Sequence, residues 1–180
     1  MKQLGFTHES QHNESKEWYT PPYIFEALGL RFDTDPASPG KEFVPWIPVA
    51  RHITRQENGL ITPWTGRVWL NPPYGQDTPK WVRLFADYPD GIMIVFARTD
   101  TRWFHDYATK CDAMLFIRSR VKFIRADGKR GQGAGAGSML LANGRECVQA
   151  ICASGLGFPV MRSASFSIPY SMPAVHLTSV

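Results

Sequence analysis

Asn71, Pro72, Pro73 and Tyr74 are the residues of this sequence best suited to chemistry, and they directly follow an apolar segment. Two consecutive prolines fix φ and supply no backbone N–H group, so the carbonyl of Pro72 is held rigidly and can point into a cleft. The carboxamide of Asn71 adds a second acceptor beside that carbonyl. Two converging acceptors match the two N–H donors of a planar amino group, such as the exocyclic amine of adenine.

Accepting both N–H groups draws electron density towards the amino nitrogen and lets it become pyramidal, which makes it a better nucleophile. No general base is needed before attack, because the proton can leave after the new bond has formed. The ring of Tyr74 can stack on the base and orient it, which is worth roughly 1–3 kcal/mol. The alternative is that the stretch from Asn71 to Gly75 is only a tight turn, since all of its residues favour turns.

The tetrapeptide needs a strand before it and a helix after it to hold its position. Residues 67–70 are β-prone, and residues 78–88 have apolar side chains at helical spacing, with Thr78 as the predicted cap. Ligands of an open α/β sheet bind where its strands end, which is where Asn71 lies. The order of elements therefore favours a functional site over a simple turn.

Other segments alternate between strand and helix patterns. Further strands are predicted over 31–35, 91–97, 113–117, 120–124 and 138–142, and further helices over 20–29, 101–110 and 145–154. No long element is predicted over 36–63. This alternation predicts a mainly parallel α/β sheet that finishes with an antiparallel pair.

Length and composition narrow the class of protein. A chain of 180 residues with 43% hydrophobic residues fits one globular domain, and its net charge of +4 is only weak support for a polyanionic partner. Its three cysteines have no Cys-x-x-Cys spacing, which argues against a disulfide scaffold or structural zinc site. A polar N-terminus without an apolar signal core predicts a protein of a reducing, intracellular compartment.

Several stretches in order resemble one enzyme family. Asn71-Pro72-Pro73-Tyr74 resembles motif IV of the amino-methyltransferases that use S-adenosylmethionine (SAM). The accompanying stretches are Trp18-Tyr19-Thr20-Pro21-Pro22, Phe32-Asp33-Thr34-Asp35-Pro36-Ala37-Ser38, Asn58-Gly59-Leu60, Val68-Trp69-Leu70 and Ala97-Arg98-Thr99-Asp100-Thr101. Together they resemble the phage and prophage Dam-type DNA N6-adenine methyltransferases over about residues 17 to 145.

The resemblance implies a Rossmann-like, SAM-dependent methyltransferase sheet, mostly parallel with a reversed final strand and trimmed in places. It implies that Asn71, Pro72, Pro73 and Tyr74 are catalytic. The cofactor-binding residues it implies are Thr20, Pro21, Asp35, Pro36 and Ala37, with Glu57 the nearest candidate by position for the ribose-binding acid. One departure is that the glycine-rich loop after the first strand is reduced to Ser38-Pro39-Gly40, which has only one glycine to allow close backbone approach to the cofactor.

Basic residues near the ends of predicted strands are interleaved with aromatic residues. Arg98, Arg102, Arg120, Lys122, Lys129 and Arg130 are the candidate DNA-binding residues, and solvated strand ends are the alternative explanation. Residues 126–137 form a predicted flexible, basic loop. No metal is expected, because no histidine or carboxylate cluster accompanies Asp33 and Asp35. The three cysteines are expected in the core, and His105 on a helix surface or in a capping role.

The function predicted from these residues and this resemblance is methyl transfer from SAM to the N6 amino group of adenine in DNA, by base flipping and in-line attack, with S-adenosylhomocysteine as product. The alternatives are a protein glutamine N5-methyltransferase and a catalytically silent DNA-binding protein on the same fold. The predicted division is an N-terminal arm over 1–17, a catalytic domain over 18–155 and a tail over 156–180. A homodimer is compatible, and the expected location is the cytoplasm of a bacterial host, with a phage or prophage origin.

Overall fold

The computed structural model describes residues 18–131 and 134–162. Its strands are β1 (Trp18–Tyr19), β2 (Phe32–Asp35), β3 (Val49–His52), β4 (Val68–Leu70), β5 (Gly91–Phe96), β6 (Ala113–Ile117), β7 (Ile124–Arg125), β8 (Ser138–Asn143) and β9 (Gly157–Met161). Its α-helices are α1 (Pro22–Leu28), α2 (Thr78–Ala86), α3 (Arg102–Asp106) and α4 (Arg145–Ala153), and a 3-10 turn spans Ala108–Lys110. The mixed α/β class predicted from the sequence is therefore confirmed.

Seven strands form one sheet in the order β3-β2-β4-β5-β8-β6-β9. β3, β2, β4 and β5 pair in parallel, β8 is antiparallel to both β5 and β6, and β9 is antiparallel to β6. Two strands are thus reversed, and one of them, β8, lies inside the sheet. The carboxyl ends of β2, β3, β4, β5 and β6 consequently meet at one edge, which is called the upper edge below.

Each face of the sheet buries its own apolar cluster. One cluster joins α1 and α4 to the sheet residues Trp69, Ile94 and Leu140, and the other joins α2 and α3 to Leu70, Val95 and Leu141. The continuous apolar sequence of β5 follows from this arrangement, because a central strand covered on both faces has no exposed side. The sheet is in this way a rigid platform for the residues at its upper edge.

A second, two-stranded sheet joins the start of the described chain to a segment far along it. β1 pairs antiparallel with β7, so that Trp18 faces Arg125 and Tyr19 faces Ile124. A turn follows β7, closed by a hydrogen bond from Arg125 N to Lys129 O and by a bridge between Ile124 and Arg130. Residues 126–130 of the predicted flexible loop thus form a defined hairpin turn, which is called the basic hairpin below.

The prediction of a strand over 120–124 is wrong. In this region only residues 124 and 125 form a strand, and they pair with β1 outside the main sheet. The helix predicted over 101–110 is broken at Tyr107, whose φ of −129° is not helical. β1, β3 and β9 were not predicted: β3 has no apolar alternation, and β9 lies within the predicted tail. The prediction that all three cysteines are in the core is wrong for Cys152, which is exposed on α4.

The predicted arm over 1–17 and the tail from residue 163 onwards lie outside the described residues. Residues 157–161, which the sequence placed in the tail, form the edge strand β9 of the main sheet. None of the helices in the described ranges is both long and apolar enough to cross a membrane.

Candidate active site

Asn71 lies directly after β4 at the upper edge, and its carboxamide is oriented by the main chain. Its Nδ2 donates a hydrogen bond of 2.7 Å to the carbonyl of Trp18. Since a carbonyl can only accept, the nitrogen must face Trp18 and the oxygen must face the other way. That oxygen, Oδ1, is buried and has no hydrogen-bond partner among the described residues. A buried acceptor without a partner is an exception in folded proteins and indicates a place for an external donor.

The two prolines connect Asn71 to a tight turn that leads into α2. Pro72 is buried and Pro73 is exposed. The side chain of Thr78 closes the turn, because its hydroxyl accepts from Gly75 N at 3.1 Å and donates to the carbonyl of Pro73 at 3.4 Å. Gly75 has a φ of 140°, a conformation that favours glycine. Thr78 therefore fixes the turn rather than capping α2, whose N-cap is Asp77.

The ring of Tyr74 belongs to an aromatic cluster at the end of β5. It stacks on Phe96 with ring centroids 4.0 Å apart and 19° between the planes, and it meets Phe123 edge to face at 6.4 Å. Its hydroxyl is buried without a hydrogen-bond partner in the described part of the chain, and burial raises the pKa of Tyr74. Tyr74 therefore stays a neutral phenol, with one face of its ring already covered by Phe96.

Three further buried polar atoms without partners in residues 18–131 and 134–162 belong to the same face of the sheet. They are the Oγ1 of Thr20, the Nε1 of Trp69 and the Oγ of Ser138. Ser138 begins β8 and is paired in register with Phe96, so it lies beside the aromatic cluster. Thr20 is fully buried, and its carbonyl accepts a 2.9 Å hydrogen bond from Trp46 Nε1. The unsatisfied groups of Asn71, Tyr74 and Ser138, which meet where β4, β5 and β8 reach the upper edge, favour a ligand site over isolated packing defects.

Asp35 is a buried acid at the carboxyl end of β2. It is 3% exposed, and its Oδ1 accepts a hydrogen bond of 3.1 Å from Ala37 N. Burial raises the pKa of Asp35 to about 7, against the smaller lowering effect of that hydrogen bond. No ion pair with a basic side chain compensates it within the described ranges. A buried carboxylate without a counter-charge is costly, so this position suits a cationic group on a ligand.

The loop after Asp35 is packed closely against a second loop that follows β3. A Cβ atom built on Gly59 would lie 1.8 Å from the carbonyl oxygen of Pro36, so only glycine fits this contact. Asn58, the preceding residue, has a φ of 56°, and its Oδ1 accepts from Leu60 N at 3.2 Å. Both loops lie at the upper edge, where the candidate cofactor residues Pro36 and Ala37 are.

Glu57 lies in the loop after β3, but its carboxylate is occupied locally. Its Oε2 accepts hydrogen bonds from the backbone N and the hydroxyl of Thr54, at 2.9 and 3.1 Å. These bonds lower the pKa of Glu57, and Arg51 lies 3.8 Å away. Glu57 therefore lies at the upper edge of the sheet, with its carboxylate bonded to Thr54.

The candidate DNA-binding residues are all exposed. They are Arg98, Arg102, Arg120, Lys122, Lys129 and Arg130. Arg98 directly follows β5, and a guanidinium nitrogen of Arg120 would lie 3.8 Å from a Cβ built on Gly137, just before β8. Lys129 and Arg130 belong to the basic hairpin, which β7 joins to β1. Arg102, on α3, has its closest charged neighbour in Asp106 at 4.0 Å.

Sequence reasoning did not assign the roles of three residues that shape this site. Trp18 holds Asn71 through its main chain, and Phe96 and Phe123 enclose Tyr74. Phe96 carries a detectable signal, because it is the last residue of the apolar β5 run and so had to reach the upper edge. His105 is exposed on α3 and contacts the ring of Phe104. Within the described ranges, no group of three or more His, Cys, Asp and Glu side chains could hold a metal ion.

A comparison with protein families finds a match over most of the chain. The model of the family described as DNA N-6-adenine-methyltransferase (Dam) matches residues 7–152, which is most of the chain. Neither the comparison with curated proteins nor that with solved structures finds a match.

Proposed function

Because the chain belongs to the DNA N-6-adenine-methyltransferase (Dam) family, we propose that it transfers a methyl group from SAM to the N6 amino group of adenine in DNA. The observation that carries this proposal is the oriented carboxamide of Asn71. Its nitrogen is committed to Trp18, which leaves a buried oxygen with no partner among the described residues. An amino group that enters this region finds an acceptor already in place, so no side chain must rearrange to receive it.

Asn71 and the Pro72 carbonyl act as the acceptor pair for the two N–H groups of the target base. Each accepted hydrogen bond leaves more electron density on N6 and favours its pyramidal form. A neutral amine needs no strong base, which agrees with the absence of a basic side chain from the contacts of Asn71 and Tyr74 in the described structure. The proton of the methylated product leaves to solvent after transfer.

Tyr74 stacks on the flipped base with the face of its ring that Phe96 does not cover. Phe96 supports the opposite face at 4.0 Å, so the ring is fixed before the base arrives. Phe123 approaches edge to face and limits the rotation of the ring. Flipping a base out of the duplex costs a few kcal/mol, and stacking recovers roughly 1–3 kcal/mol of that cost.

The residues at the carboxyl end of β2 fit SAM. The buried carboxylate of Asp35 has no basic partner in the described chain and suits the ammonium group of the methionine moiety, while the orphaned hydroxyl of Thr20 offers a further polar contact. Pro21, Pro36 and Ala37 form the backbone next to these two side chains. When bound, SAM supplies an electrophilic methyl group on a sulfonium ion. Glu57 would need to release Thr54 before it could bind a ribose hydroxyl.

DNA lies across the upper edge in this proposal. The six exposed basic residues there neutralise backbone phosphates, and the basic hairpin reaches beyond the sheet to a flanking part of the duplex. We propose short or relaxed sequence specificity, with the basic hairpin as the described element outside the main sheet that contacts DNA. Methylation-sensitive sequencing of DNA from cells that express the protein would contradict this if it revealed a long, strictly read site.

Transfer of tritium from labelled SAM into DNA tests the function. The wild type should label DNA, and Asn71→Ala should reduce the rate at least a hundredfold because the oriented acceptor is lost. Gln76→Ala is a matched control, since it removes an exposed side-chain amide from the following turn. Undiminished transfer by Asn71→Ala would contradict the assigned role.

The same assay separates the two alternatives. Label that appears in polypeptide instead of DNA would identify a glutamine methyltransferase. Absence of transfer, together with no calorimetric binding at millimolar SAM but retained binding of DNA, would identify a silent DNA-binding protein. The family match favours transfer to DNA over both.

A further inference from the structure

Ser38 and His52 form a hydrogen-bonded pair beside the candidate cofactor site. Ser38 Oγ lies 2.7 Å from His52 Nδ1, and Ser38 is 3% exposed. His52 is the last residue of β3 and is paired in register with Asp35. The pair therefore joins the loop after Asp35 to the neighbouring strand, at the place where a glycine-rich loop is lacking.

Backbone hydrogen bonds continue the link between β2 and β3 beyond the strands themselves. Ile53 N donates to the carbonyl of Asp35 at 2.9 Å, and Ser38 N donates to the carbonyl of Ile53 at 3.1 Å. The loop thus doubles back onto Ile53, and Ser38 is placed so that its side chain meets His52. Gly40, with a φ of 117°, ends this turn.

The other hydrogen bond of Ser38 Oγ favours one direction for the Ser38–His52 bond. Gly40 N donates a hydrogen bond to Ser38 Oγ at 3.1 Å, and a backbone N–H can only donate. That bond occupies one of the two lone pairs of Oγ. Among the described residues, His52 Nδ1 is the group within hydrogen-bond distance that can accept the single hydroxyl proton of Ser38. We therefore assign the donor to Ser38, which makes His52 a neutral imidazole with its proton on Nε2.

The surroundings of His52 favour the same state. Burial is the largest effect and lowers the pKa of His52, and the charge of Lys41 lowers it further. Glu42 is the charged group that opposes them. If the ring were protonated, both Gly40 N and His52 Nδ1 would donate to Ser38 Oγ, and the hydroxyl proton would have no bonded acceptor among the described residues.

We propose that Ser38 and His52 are positioning residues that hold the loop over residues 36–40 in its cofactor-binding shape. This inference rests on the proposed function. Many nucleotide-binding loops rely on glycines for close backbone approach, whereas here a side-chain pair anchored on β3 sets the path of the chain. Neither residue takes part in methyl transfer itself. Their effect is therefore on the affinity for SAM and not on the chemical step.

Four proteins test the proposal: the wild type, Ser38→Ala, His52→Leu and His52→Asn. Asparagine can place its amide oxygen near the position of Nδ1 and accept from Ser38, whereas leucine cannot accept at all. Calorimetry should show SAM affinity at least tenfold lower for Ser38→Ala and His52→Leu, and within about threefold of the wild type for His52→Asn. In the methylation assay the KM for SAM should rise while kcat stays nearly constant.

Two readouts need no cofactor. The ¹⁵N chemical shifts of the His52 ring should identify the neutral tautomer with its proton on Nε2. Amide hydrogen exchange at Gly40 should be at least tenfold faster in Ser38→Ala, while exchange in β5 stays unchanged and shows that the variant is folded. A ring protonated on Nδ1 at neutral pH would overturn the assigned direction of the hydrogen bond, and unchanged exchange at Gly40 would overturn the positioning role of Ser38.

The outcomes distinguish this proposal from the proposed function. No SAM binding by the wild type would overturn the proposed function. Binding by the wild type with equal affinity in all three variants would overturn the positioning role alone. A KM that stays constant while kcat falls would also overturn it, because the pair would then act on the chemical step.

Discussion

Asp35→Asn is the substitution whose effect can be worked out most fully from the structure. Asparagine has nearly the same shape as aspartate, and its amide oxygen can still accept the hydrogen bond from Ala37 N. The substitution therefore removes a buried negative charge and preserves the local geometry. We expect it to stabilise the protein without cofactor at high pH and to weaken the binding of SAM.

The magnitude follows from the pKa of Asp35, which burial raises from its ordinary value of 3.8 to about 7. The folded state binds this proton more tightly than the unfolded state, so ionisation between these two pKa values disfavours folding. The difference between the two pKa values corresponds to a destabilisation of the folded state by about 4 kcal/mol. This destabilisation is complete above pH 7 and absent below the pKa of the unfolded state. The amide of the variant has no such penalty, so its stability advantage must grow as the pH rises.

Urea unfolding at pH 5 and pH 8 measures this difference. The free energy of unfolding of Asp35→Asn minus that of the wild type should increase by about 2–3 kcal/mol between these two pH values. Asp87→Asn controls for the general effect of removing one negative charge, because Asp87 is exposed. A gap between Asp35→Asn and the wild type that is constant with pH, or that shrinks as the pH rises, would refute the reasoning.

Binding of SAM gives an opposite signature at the same residue. An ammonium group beside Asp35 favours the carboxylate, so the affinity of the wild type for SAM should fall as the pH decreases below about 7. Asp35→Asn should bind SAM at least tenfold more weakly at pH 8, although it is the more stable protein there. Equal affinity of the two proteins at pH 8 would show that Asp35 does not meet a cationic group.

Three further predictions concern other parts of the site. Tyr74→Phe should leave stability unchanged or raise it by about 1 kcal/mol in thermal unfolding, because the lost hydroxyl is buried without a partner in the described chain; a loss above that amount would show that the hydroxyl is bonded. Gly59→Ala should cost about 1–3 kcal/mol, since its Cβ would collide with the carbonyl of Pro36, and a neutral result would mean that the two loops separate freely. Replacing Lys129 and Arg130 together by serine should reduce the salt dependence of DNA binding by about two units of slope, measured by titration at several salt concentrations, and an unchanged slope would place DNA elsewhere.

The elements that have a local signal could be predicted from the sequence. Consecutive residues show the apolar run of β5, the helical spacing of α2 and the position of Asn71 after β4. The pairing of β1 with β7 is different, because two-residue strands have no period to detect and their contact joins residues 18–19 to 124–125. The same holds for the Ser38–His52 pair, which depends on the order of strands in the sheet.

In the candidate site, too, the residue types could be predicted from the sequence, but the contacts between distant segments could not. The residue types of Asn71 and Tyr74 indicated an acceptor and a stacking ring, but not that Phe96 already covers one face of that ring. Nor could the sequence show which way the carboxamide of Asn71 points, because its partner is a carbonyl 53 residues away. Local pattern identifies chemical groups, whereas their orientation depends on contacts between distant segments.

The hydrogen bond between Trp18 and Asn71 has a consequence for how this site tolerates change. The group that orients the carboxamide is a main-chain carbonyl, which every amino acid possesses, so a substitution at position 18 does not delete it. The indole of Trp18 packs against Gly131 beside the basic hairpin and takes no part in the hydrogen bond to Asn71. A substitution at position 18 that keeps the local backbone therefore leaves the orientation of the Asn71 carboxamide unchanged.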